Sequence, residues 1–108
     1  MADIFESKTN GKGEFEVSKD FDVPTVFGKL LKSEITLSGS LTSPKDTVVE
    51  GTVKVNSASK SFKDVKTGQK VNFGTFKLAA KTTVVLSGTA TTGDKPAANT
   101  TLKFNVEH

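Results

Sequence analysis

From Ile4 onward the chain is written in short runs where apolar and polar residues alternate, each stopped by Gly, Pro, Asn or Asp. A period of two puts successive side chains on opposite faces of an extended strand, whereas a helix needs apolar residues three or four apart. In Glu14-Phe15-Glu16-Val17 the two apolar residues face one way and the glutamates the other. Ile35, Leu37, Gly39 and Leu41 share one face of a later run, and Val53 and Val55 point inward from the next. Clusters at 9–13, 43–46, 66–69 and 93–96 carry the residues of tight turns. About eight or nine strands result. Residues 26–31 fit a helical turn or an irregular strand equally well. Twelve Val, eight Phe and 15 Thr supply the side chains that favour a pleated, half-buried surface. The pattern predicts an all-β, antiparallel meander in which consecutive strands pair through these turns.

A chain of 108 residues is one domain by length. Residues 1–105 are expected to form it. Val106-Glu107-His108 reads as a tag remnant, which would make the only histidine foreign. With no Cys, neither a disulfide nor a thiolate metal site can form. All 15 basic residues are Lys, so the bidentate fork that reads phosphate and guanine is missing, and a net charge of +3 is too small to make a nucleic-acid surface. No apolar run approaches the roughly 20 residues of a membrane-spanning helix. Met1-Ala2-Asp3-Ile4 has no leader character. Compartment is left open, periplasmic or extracellular if a leader has been removed.

One stretch occurs twice. In the 22 positions from Ile35 and from Val84, offset by 49, seven residues are identical, among them Leu37/Leu86, Gly39/Gly88 and Lys54/Lys103. The unit reads as a strand, a turn and a returning strand, with Gly where the sheet bends or another backbone comes close. Two such ribbons curling together predict a closing sheet of about eight strands.

The residues also resemble a family. Phe27-Gly28-Lys29 leading to Leu37-Ser38-Gly39-Ser40-Leu41, then Val49 to Ser59, then Phe62-Lys63-Asp64-Val65 with Val71-Asn72-Phe73, and last Leu86 to Thr91 with Gly93, Lys95-Pro96 and Thr101 to Phe104, are similar in order and spacing to YceI-like polyisoprenoid-binding proteins. The resemblance implies a lipocalin-like barrel that holds a long apolar lipid without catalysis. Phe15, Val17, Ile35, Leu37, Val53, Val55, Phe73, Leu86, Leu102 and Phe104 would line its lumen. The alternative is an immunoglobulin-like β-sandwich, a structural or interaction module of a surface or virion protein, in which the same residues interdigitate. A dry void of about 300 Å³ would cost about 7 kcal/mol, near the whole stability of a small domain. Either a ligand or water fills the interior, or the sheets pack.

Catalysis finds few candidates, because no Cys and no internal His is present for a nucleophilic scheme. Glu14/Glu16 and Asp20/Asp22 lie two apart, which places each pair on one outward strand face. They could hold calcium or act as acid and base, or simply be solvated. No cofactor is expected. Seven lysines against Asp64 make residues 54–81 basic, while residues 1–24 carry six acids and three lysines. Such polarity would steer an anionic head group or favour head-to-tail self-association, unless the lysines only guard strand edges.

Overall fold

A computed structural model describes residues 2–22, 25–26, 28–30 and 33–107. Among these the chain is all β, with no helix. The strands are β1 (Ala2–Lys8), β2 (Glu14–Asp22), β3 (Thr25–Val26), β4 (Lys29–Leu30), β5 (Glu34–Thr42), β6 (Thr47–Val55), β7 (Ala58–Lys66), β8 (Lys70–Lys77), β9 (Lys81–Thr92), β10 (Lys95–Pro96) and β11 (Thr101–Glu107). One sheet has the order β1-β11-β5-β8. The second runs β2-β9-β6-β7, with the short β10 also on β9. Every ladder is antiparallel.

The expected meander does not form. Of the turn clusters taken as hairpins, 9–13 carries the chain from the first sheet to the second, and so does 43–46. The Thr67–Gln69 turn and the 93–100 connection cross back. Among the described residues, only β6 and β7 of the long strands form a tight hairpin, through Asn56-Ser57, with Asn56 at φ 56°. Alternation assigns each residue to a face but says nothing about which strand lies alongside. Nor is the order that of an immunoglobulin domain, where the first two strands sit side by side. No closed barrel forms among the described residues.

Crossings of this kind need their backbone groups satisfied locally, and the 9–13 turn shows how. Asn10 Oδ1 accepts the Lys12 and Glu14 backbone N–H groups, each at 2.9 Å. The Ala90 N–H donates to the Gly13 carbonyl at 2.8 Å, and the Thr9 N–H to that of Thr100 at 2.8 Å. The buried Thr9 hydroxyl donates to the Ala97 carbonyl and accepts the Thr100 N–H. The first crossing is thereby pinned to the last.

Both sheets turn their apolar residues toward a shared interior. Phe5, Leu37, Leu41, Leu102, Phe104 and Val106 come from the first, and Phe15, Val49, Val53, Leu86 and Ala90 from the second. No buried side-chain N or O among the described residues lacks a hydrogen-bond partner. Val106, expected outside the domain, is 2% exposed in this core, and Glu107 is the last residue of β11. The undecided 26–31 stretch overlaps the β3–β4 ribbon, with Gly28 at φ 77° between its strands, while Phe27 and Leu31 lie outside the described residues.

The duplicated unit is not a pair of hairpins. β5 and β6 of the first copy lie in different sheets, as do β9 and β11 of the second. Each strand pairs instead with the other copy, β5 with β11 and β6 with β9. The glycines do what the repetition suggested. A Cβ on Gly39 would collide with the Asn105 carbonyl, and one on Gly88 with the Glu50 carbonyl. Gly51 stands opposite Gly88 in the β6–β9 ladder and would strike the Ser87 carbonyl. At these points neighbouring backbones approach too closely for any side chain.

Candidate functional site

The ten residues expected to line a lumen all turn inward. Phe15, Leu37, Val53, Val55, Phe73, Leu86, Leu102 and Phe104 belong to the buried core, with Val17 and Ile35 half-buried against it. Their partners there include Phe5, Leu41, Phe62 and Phe76, which sequence reasoning left out of the set. Rings meet across the gap between sheets: Phe15 stacks on Phe104 at 5.6 Å between centroids, and Phe62 meets Phe104 at 6.1 Å. Phe62 also meets Phe73 edge-on at 5.5 Å. Aromatic contacts of this geometry add about 0.5–1.5 kcal/mol each beyond area burial.

Concave surface occurs outside, on the solvent face of the second sheet. One shallow groove of 530 Å³ runs past Glu50, Thr52, Ser61, Lys63 and Thr89. Another of 500 Å³ continues past Ser7, Asn10, Glu14, Glu16 and Ser87. They share Gly88 and Thr89, so the glycine contact that draws β6 and β9 together also floors the depression. A third hollow of 740 Å³ lies at the turn end, between Lys45, Asp46, Lys66, Thr67 and Gly93. These surfaces offer hydroxyls, carboxylates and lysines, with Phe15 and Phe62 as their aromatic residues.

Glu14, Glu16, Asp20 and Asp22 form one exposed row along β2. Asp20 accepts the Thr83 hydroxyl at 2.7 Å, and Glu14 the Asn10 amide at 3.0 Å. No group of three His, Cys, Asp or Glu able to hold a metal occurs among the described residues.

Charge is sorted by flank. β1 and β2 are the edges of the two sheets on one side, and β7 and β8 the edges on the other. Residues 2–22 carry six acids and three lysines, whereas 58–77 carry Lys60, Lys63, Lys66, Lys70 and Lys77 against Asp64 alone. Sequence showed the two clusters; folding sets them on opposite flanks. Asp64 itself sits at φ 57° in a bulge, where Lys63 and Asp64 together oppose Glu50. Lys60 lies over the Phe76 ring at 5.5 Å.

No family model, curated protein or solved structure matches the chain. No helix among the described residues is long and apolar enough to cross a membrane.

Proposed function

We propose that this chain is a non-catalytic interaction module, a packed two-sheet sandwich that works through its exterior. Counting only the eight long strands, the sheet orders are first-eighth-third-sixth and second-seventh-fourth-fifth. That is the double Greek key of a jelly roll, an architecture common in capsid and lectin domains. Fold analogy alone links it to a surface or virion role. The observation that carries the reading is the run of ring contacts from Phe15 through Phe104 and Phe62 to Phe73, which supports an interior filled by side chains rather than by an apolar ligand.

The rival reading, implied by the family resemblance, makes these same residues the lining of a lipid-filled barrel. Native mass spectrometry of the purified chain separates the two. A module with a packed interior gives the bare polypeptide mass and no fluorescence gain with an apolar probe. A co-purifying lipid released by organic solvent would replace the module with the carrier.

A further inference from the structure

Resting on the module reading, we propose that the β7–β8 flank docks the β1–β2 flank of a second copy of this chain, giving a side-by-side, head-to-tail assembly. Charge complementarity is the first ground. The basic flank presents Lys63, Lys66 and Lys70 exposed, and among the described residues none of them has a carboxylate within 4 Å, whereas Lys103 does pair with Glu6 at 3.8 Å. The opposite flank presents the exposed β2 row of Glu14, Glu16, Asp20 and Asp22.

Strand direction is the second. Each sheet has four long antiparallel strands, so β2 runs opposite to β7 and β1 opposite to β8. A copy displaced sideways by one sheet width therefore meets both edges in the antiparallel sense. Level is the third. Following the ladders, Glu14 faces Thr89, Thr89 faces Glu50, and Glu50 faces the Lys63–Asp64 bulge. Glu16 lies two residues further along, on the row of Ser87, Thr52 and Ser61. The displaced copy brings its Glu14 and Glu16 to Lys63.

Edge lysines oppose strand pairing because burying an unpaired charge is costly, but opposite carboxylates the same lysines gain an attractive partner. Here the facing flank is acidic. Bulges in β7 and in β8, the latter at Phe73 beside Gly74 with φ 104°, interrupt the ladders and bend the edge strands, so side-chain charge carries the contact. Two different patches meet, so each docked copy leaves one flank free and association continues beyond a dimer, into a ring or an open array.

Sedimentation velocity on the full chain tests this, at ionic strengths of about 0.01 M and about 1 M, where charges are screened beyond about 30 Å and 3 Å. The expected result is concentration-dependent association at low salt, weakened at least about tenfold at high salt. K63E/K66E and E14K/E16K are each expected to be monomeric at low salt, and an equimolar mixture of the two to associate, since each supplies the flank the other lost. The mixture also guards against misreading a folding defect. A wild-type chain that stays monomeric at low salt, or association indifferent to salt and to both variants, overturns the docking. Such a failure together with a bare mass in the native spectrum leaves the module reading standing; a lipid adduct removes that reading itself.

Discussion

At the scale of single residues, the glycines tie sequence to shape most tightly. Gly88 has no room for a Cβ because the Glu50 carbonyl and the Gly51 Cα stand in its place, and both are backbone atoms that cannot swing aside. Gly88→Ala should destabilise the fold by about 2–4 kcal/mol, in the range of overpacked interiors and displaced backbone. Gly11 has open space around it, so Gly11→Ala should change stability by less than about 0.5 kcal/mol. Denaturant midpoints of the two variants check the contrast; similar losses at both positions would contradict it. The close approach at Gly39 and Gly88 was legible from repetition alone. Gly51 was not, because its need arises from lying opposite Gly88, a pairing no local pattern reveals.

At the scale of elements, alternation placed residues on faces correctly: Phe15, Leu37, Val53 and Val55 are inside while Glu14 and Glu16 are outside. Neighbours are a different matter. Turn residues at 9–13 and 66–69 announce a reversal of direction, yet the chain reverses equally whether it returns to the same sheet or steps to the facing one. What decides is where each strand's apolar side finds cover, and that depends on strands far along the sequence. Pairing can be tested directly because the chain has no cysteine of its own. Glu16 of β2 stands opposite Ser87 of β9. Directly opposed residues have Cβ atoms about 4.5–5.5 Å apart, within small adjustment of disulfide geometry. Glu16→Cys with Ser87→Cys should cross-link under mild oxidation, seen as faster migration on non-reducing gels. A meander, with β2 between β1 and β5, would leave both thiols free.

For the whole molecule, the exterior holds what the sequence could not organise. Acids near the start and lysines past the middle are visible in the string of letters, but only the strand orders set them on opposite flanks. The grooves were invisible to pattern reading for the same reason, since they join β2, β6, β7 and β9 across gaps of many residues. The residues assigned to a lumen face inward and belong to, or pack against, the buried core.

The claim beneath all of this is that two sheets fill the space between them with each other's side chains. A nuclear Overhauser spectrum of the ligand-free chain with labelled phenylalanines measures it most directly. Cross-peaks linking Phe15 to Phe104 and Phe104 to Phe62 are predicted, from rings on facing sheets. Rings that show contacts along their own sheet alone would contradict it.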